Sequence, residues 1–169
     1  MSDAPGSRRP DWVNVWAFRV LPVTVVLLAA LAGSLKWQDT SRRAAEAAAL
    51  ESVSVARETT VAMLSYSAGT AEKDLNAARN RLTGSFLTEF TKLIHEVVIP
   101  GAKEKNISAV AAVAAGGSVS ATLDHAVALV FIDQSVTIGG GAPTNTVSSA
   151  RVTLDKVGGR WLVSGFDPV

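Results

Sequence analysis

Side chains that commonly carry out chemistry are few in this chain, which has two histidines, one tyrosine and no cysteine. His95 is followed by Glu96 on the polar side of a predicted helix, and we interpret it as a solvated surface residue. His125 stands beside Asp124 at the start of a predicted strand, which is typical of a turn contact. No spacing of His, Asp and Glu matches a zinc or calcium site. We therefore expect no metal ion, no cofactor and no enzyme activity.

Two other arrangements that could support catalysis are also incomplete. The glycine run 139–141 precedes Ala142 and Pro143, whereas a phosphate-binding loop leads into a helix that carries lysine. A pocket like that of ketosteroid isomerase needs a buried carboxylate and a donor for an oxyanion. The candidates for these two roles are Asp124, Asp133 and Tyr66. Both aspartates flank the apolar strand instead of lying inside it, so we expect them to be exposed.

The charge and the length of the chain narrow the class of protein further. The formal net charge is +1, and the charged residues are scattered along the 169 residues. A nucleic-acid binder needs a basic stripe, so nucleic acid is excluded as the expected partner. The absence of cysteine excludes a disulfide framework and a lipidated-cysteine anchor.

One apolar run of sixteen residues, from Val20 to Leu35, points to a membrane. As a helix it would span about 24 Å, close to the about 30 Å hydrocarbon core of a bilayer. Basic and aromatic side chains at both ends suit the two headgroup layers. The residues expected to form this anchor are Arg19, Leu27, Leu28, Lys36 and Trp37.

A cleaved signal peptide is the alternative, because Ala30–Ala32 resembles a cleavage site. Lys36 and Trp37 close the run as in an anchor, so we favour a single-pass inner-membrane protein. The basic residues are balanced on the two sides and do not fix the orientation. The short N-terminal tail favours a cytoplasmic N-terminus and an exported C-terminal domain. The predicted organisation is a tail and anchor at 1–37, an Ala-rich stalk helix at 38–69 and an exported domain at 70–169.

The stalk helix carries one narrow apolar face. Ala49, Val53 and Ala56 recur at helical spacing, and the segment from Ser41 to Leu64 contains neither glycine nor proline. This face could receive a partner helix, or it could pack on the helix's own domain. We favour packing on the domain and retain Ala49, Val53 and Ala56 as a possible partner face.

The remainder of the chain changes from helical to β pattern after Pro100. Helices are predicted at Asp74–Leu82, ending at Gly84, and from Ser85 to Val98, ending at Pro100 and Gly101. Strands are predicted at Ile107–Ala115, His125–Ile132, Gln134–Ile138, Asn145–Val157 and Arg160–Val163, with turns at Gly116–Gly117, 139–143 and Gly158–Gly159. The expected fold is α+β, with helices packed on one face of a curved antiparallel sheet.

The order of several short segments resembles the Mce-associated membrane proteins of actinobacteria. The segments are Thr60–Tyr66, Leu82–Phe86, Val98–Pro100 and Gly159–Val169, together with the N-terminal span. The turn Ser67–Thr70 departs from the more acidic, aromatic stretch of relatives. The resemblance implies an exported domain with an NTF2-like or VirB8-like fold. It also implies association with a lipid importer made of a YrbE-type permease, an ATPase and Mce substrate-binding subunits, which carries sterols or fatty acids.

Two functions follow as expectations from the sequence. The first is a non-enzymatic accessory subunit, or scaffold, that stabilises such an importer. The second is a module that binds a lipid or small ligand in a cleft between helices and sheet. We favour the scaffold because Ala and Val dominate the predicted strands and leave few large apolar side chains to line a cavity.

Overall fold

The computed structural model describes residues 43–169, and residues Arg43–Val169 form one compact unit. The predicted anchor, Val20–Leu35, lies outside the described residues. Within residues 43–169, no helix is both long and apolar enough to cross a membrane. The elements are α1 (43–64), α2 (Ala71–Arg79), α3 (Gly84–Leu93), a π-helical turn (Ile94–Val98), α4 (Ile99–Lys105), β1 (Ile107–Ala121), β2 (His125–Ile138), β3 (Thr144–Val157) and β4 (Arg160–Pro168).

The four strands form one antiparallel sheet in the order β1-β2-β3-β4. Alternation along β2 shows its two faces: Val130 and Ile132 are buried, whereas Phe131 between them is exposed. The buried face packs with the helices into a single core that includes Leu75, Phe90 and Trp161. The predicted α+β class, with helices on one sheet face, is therefore confirmed.

Three predicted boundaries are wrong for identifiable reasons. Gly116 and Gly117 do not turn the chain, because they pair with β2 and the turn comes at 122–124. Asp133 does not divide β2, since its side chain is exposed on the outer face of one continuous strand. Gly84 has the predicted left-handed φ of 63°, but it begins α3 five residues after α2 ends at Arg79.

Pro100 does not end the helical path as predicted. The chain passes through the π-helical turn Ile94–Val98 and continues as α4 to Lys105. Pro100 lies in the first turn of α4, where its missing N–H is tolerated, and the wider π turn before it accommodates the ring. The helix ends at Asn106, which adopts a left-handed φ of 51°.

The turn between β3 and β4 agrees with its prediction. Gly158 and Gly159 have φ values of 58° and 80°. A two-residue hairpin of type I′ requires positive φ at both central positions, and glycine adopts such values without steric cost. This turn directs Trp161 back under the helices, where 4% of its surface is exposed.

Candidate interaction surfaces

The titratable residues noted in the sequence do not converge. His95 is exposed on the π-helical turn, and Tyr66 is half-buried at the edge of β1, where burial raises the pKa of its hydroxyl. Asp124 and Asp133 are both exposed, as predicted, and nine positions of extended chain place them roughly 30 Å apart. In the described part of the chain, no group of three or more His, Asp or Glu side chains is placed to hold a metal ion.

The imidazole of His125 has a different partner from the expected one. Its Nδ1 lies 2.7 Å from Oδ1 of Asp155 on β3, the residue directly opposite it in the sheet. Asp124 instead accepts a hydrogen bond from the Thr122 hydroxyl, which also receives one from the backbone N–H of His125. The expected contact with Asp124 is therefore wrong for the ring, because β-sheet register brings a carboxylate from thirty residues away.

This pair yields a prediction about pH. Hydrogen bonds from the Ser164 hydroxyl and from His125 lower the pKa of Asp155 below its usual 3.8. A depressed native pKa stabilises the fold above the unfolded pKa, and this contribution is lost as pH falls through the native pKa. We expect the urea concentration at the unfolding midpoint to decrease as the pH is lowered below about 4, and to decrease less for Asp155→Asn. Urea unfolding measured between about pH 6 and pH 3 tests this. The same dependence of the midpoint on pH in Asp155→Asn as in wild type would contradict it. Glu104→Gln, at an exposed helical carboxylate, is the control.

A cleft lies between α1, the end of α2 and the β3–β4 turn. Its volume is about 420 Å³, and its lining includes Glu51, Val55, Arg81, Arg160 and Trp161. Oε2 of Glu51 accepts hydrogen bonds from Nε1 of Trp161 at 3.0 Å and from Nζ of Lys156 at 3.3 Å. The Lys156 ammonium also lies 5.2 Å from the centre of the Trp161 ring. These contacts fix α1 to the end of the sheet.

The possible partner face on α1 is turned toward the protein's own core. Ala56 has no exposed surface, Val53 packs partly buried against the core, and Ala49 is half-buried. At the start of the helix the most buried positions are Ala48 and Ser52, one residue earlier than the pattern indicated. The structure thus places this face in the arrangement that we favoured from the sequence, packed on its own domain.

The exposed face of the sheet carries large apolar side chains that the sequence analysis did not single out. We define the outer sheet face by Val110, Phe131 and Val147, which are 66%, 45% and 79% exposed on three adjacent strands. Val110 and Val147 line a shallow groove of about 440 Å³ around Asp133. The alternating pattern of β3 predicts which of its residues face outward, but it does not predict that no helix within residues 43–169 covers them.

The domain has an NTF2-like fold of the VirB8-like type. It is similar to an IcmL-like type IV secretion system protein from Legionella pneumophila (TM-score 0.60, 9% identity, covering 69% of this chain and 88% of that one). It is also similar to the periplasmic domain of DotI (TM-score 0.58, 12% identity, 69% and 91%). A third similar structure is the Agrobacterium tumefaciens VirB8 protein (TM-score 0.55, 16% identity, 69% and 88%). These likenesses establish the fold alone.

Sequence comparison then identifies the family. The chain is 52% identical over 159 residues to Outer membrane protein Rv1973 of Mycobacterium tuberculosis, covering 94% of this chain and 99% of that protein. It is 34% identical over 172 residues to Uncharacterized protein Rv1362c of the same organism, covering 97% and 78%. No protein-family profile matches the chain. The chain belongs to the family of mycobacterial membrane proteins that includes Outer membrane protein Rv1973.

Proposed function

We propose that this protein is a non-enzymatic accessory subunit that helps to assemble or stabilise an Mce-type lipid importer in the cell envelope. The observation that carries the proposal is the outer sheet face, where Val110, Phe131 and Val147 expose apolar surface on a rigid sheet. Val110 and Val147 line one groove there, and exposed apolar side chains of this kind commonly mark a docking site for another protein. The domain would use this face to contact Mce substrate-binding subunits.

The comparisons support a place in a membrane assembly. A relative with 52% identity is named an outer membrane protein, and the similar solved structures include a periplasmic domain and a type IV secretion system protein. In our proposal the span Val20–Leu35 anchors the chain in the inner membrane beside a YrbE-type permease, and the domain lies outside. The resemblance of the segments from Thr60 to Val169 supports the assignment to an Mce importer.

A co-purification experiment tests the docking surface. Val147→Glu places a carboxylate on the outer sheet face, and we expect the recovery of importer subunits with the tagged full chain to fall severalfold. Leu50→Glu is the matched control, since Leu50 on α1 is 78% exposed, against 79% for Val147. Circular dichroism and the level of the tagged chain verify folding. If Leu50→Glu reduces recovery and Val147→Glu does not, α1 carries the contact and the proposed surface is wrong.

A lipid- or small-ligand-binding module is the second candidate, and the cleft beside Trp161 favours it. Its about 420 Å³ is near the lower end of ligand pockets, and Arg160 supplies a cation on its rim. We favour the scaffold because Glu51, a carboxylate on the cleft wall, already accepts bonds from Trp161 and Lys156. Lipid retained in native mass spectra and lost on Arg160→Ala would favour the binding module instead.

A further inference from the structure

The segments that precede the sheet in the chain cover only part of each of its two edges. On β4, Val163 accepts a hydrogen bond from the N–H of Thr83 and donates one to the carbonyl of Arg81, each 2.9 Å long. The first half of β1 is covered in the same way, since Ala109 exchanges two bonds of 2.8 Å with Tyr66. Further along, the Ser65 hydroxyl accepts from the N–H of Ala111 at 2.9 Å.

This cover ends at Val113. Its carbonyl accepts a bond of 3.1 Å from the Arg57 guanidinium, which is the last hydrogen bond that the helices of residues 43–169 make with this edge. Among residues 43–169, no hydrogen bond from another segment reaches the outer edge of the stretch 114–120, which we call the open edge. All but one of its residues, the half-buried Gly116, are exposed. Unpaired backbone groups in such a row are a template for another strand.

The composition of the open edge indicates what would pair with it. Natural sheets usually protect an edge with lysine, other charges or proline, yet the sequence from Ile107 to Leu123 has no charged residue and no proline. A strand that pairs with a copy of itself places identical residues near one another, so a neutral segment of small side chains meets no like-charge repulsion. The open edge is thus suited to self-pairing, and it has no charge with which to select a different strand.

We propose that two copies of this protein associate through their open edges, in antiparallel register about a two-fold axis near Gly117. Such pairing is closed, because each copy uses the same surface, and it would join the two sheets into one of eight strands. Irregularities between Val113 and Ala115 and between Ser118 and Ser120 bracket the regular part. The contact is therefore short, and we expect it to depend on the high local concentration of copies anchored in one membrane.

The lack of cysteine permits a direct test in the full chain in its native membrane. Gly117 suits a cysteine, because an added Cβ there would have no heavy atom within 4 Å. Residues opposed in an antiparallel pair have Cα atoms about 4.5 to 5.5 Å apart, within the range that a disulfide spans. Cysteines placed singly at 115, 117 and 119 should give disulfide dimers, and the dimer yield should be clearly highest at one of the three positions. Ser85→Cys, exposed on α3, measures random collision.

A charge variant provides the second measurement. In the Gly117→Cys chain, Ser118→Lys brings two ammonium groups near the axis and should lower the dimer yield about threefold or more. Ser118→Gln is the matched uncharged control and should leave the yield unchanged. Yields no higher than that of Ser85→Cys at all three positions would overturn the proposal. Cross-linking of the open edge only to Thr146→Cys would also overturn it, since Thr146 lies on the part of β3 that extends beyond its pairing with β4 and such a product indicates head-to-tail pairing. Co-purification of importer subunits tests the proposed function separately, so the two can fail independently.

Discussion

Trp161→Ala should destabilise the domain by about 3 to 5 kcal/mol, the usual cost of removing a large buried aromatic side chain. Only 4% of the Trp161 surface is exposed, and the residue belongs to the single core. Because small domains are stable by about 5 to 15 kcal/mol, this loss should lower the amount of folded protein in cells. Urea unfolding monitored by circular dichroism measures this loss. Tryptophan fluorescence is unsuitable, because Trp161 is the only tryptophan in residues 43–169 and the variant removes it.

Two matched variants separate the ring from its hydrogen bond. Trp161→Phe keeps most of the apolar ring and removes the N–H that donates to Glu51 at 3.0 Å, so we expect a smaller loss than for alanine. Glu51→Gln keeps an acceptor for the indole and removes the charge that faces Lys156. An exposed ion pair contributes about 0 to 1 kcal/mol, so this variant should unfold close to wild type. If Trp161→Ala unfolds at the same urea concentration as wild type while importer subunits are lost from the complex, Trp161 is a functional contact and not a core residue that stabilises the fold.

The sequence predicted the parts of the fold that depend on the conformational preferences of neighbouring residues. The Gly158–Gly159 hairpin depends on positive φ at two adjacent positions, which glycine meets at no steric cost, so its sequence is specific. Glycine gave a wrong prediction of a turn at Gly116–Gly117, where tertiary packing and not turn geometry requires it. A Cβ at Gly116 would come within 3.4 to 3.5 Å of Val130 and Arg57, so glycine permits close approach of α1 to the sheet there.

Positions on a helix were harder to predict than the helix itself. The spacing of Ala49, Val53 and Ala56 identified one apolar side of α1, but the sheet buries Ala48 and Ser52 at its start. Small residues occur all around this helix, so their spacing does not fix the face to within one position. Ser52 satisfies its hydroxyl by donating to the carbonyl of Ala49, which lets a polar residue occupy a core position. Periodicity alone does not reveal such a local bond.

The candidate surfaces were the least predictable part, because each depends on what remains uncovered after folding. An apolar run such as 125–132 is typical of a strand covered on both faces, yet Phe131 is 45% exposed. In residues 43–169 the helices precede the strands and all pack on one side, so this part of the chain supplies no layer for the other face of the sheet. The open edge likewise arises because, within residues 43–169, the hydrogen bonds from the helices end at Val113. Neither feature has a signature in the order of residues.

Replacing both Leu27 and Leu28 by lysine should release the protein from the membrane or prevent its insertion. Each lysine at the centre of a spanning helix costs about 2.5 to 3.5 kcal/mol on insertion scales, so the pair should outweigh the gain from the remaining apolar residues. We expect wild type in the plasma-membrane fraction after density-gradient separation, and the double variant in the soluble fraction or degraded. Leu27→Ile with Leu28→Ile is the matched control and should remain in the membrane.

The same fractionation separates our inner-membrane proposal from the location that the relative's name suggests. A protein held by Val20–Leu35 keeps its N-terminal residues, whereas cleavage after Ala32 would give a mature chain that begins at Gly33. Recovery of an uncleaved wild-type chain with the plasma membrane, and its loss in the lysine variant, would support the anchor. Recovery of wild type in the outer-membrane fraction, or an N-terminus at Gly33, would show that another part of the chain holds it in the envelope.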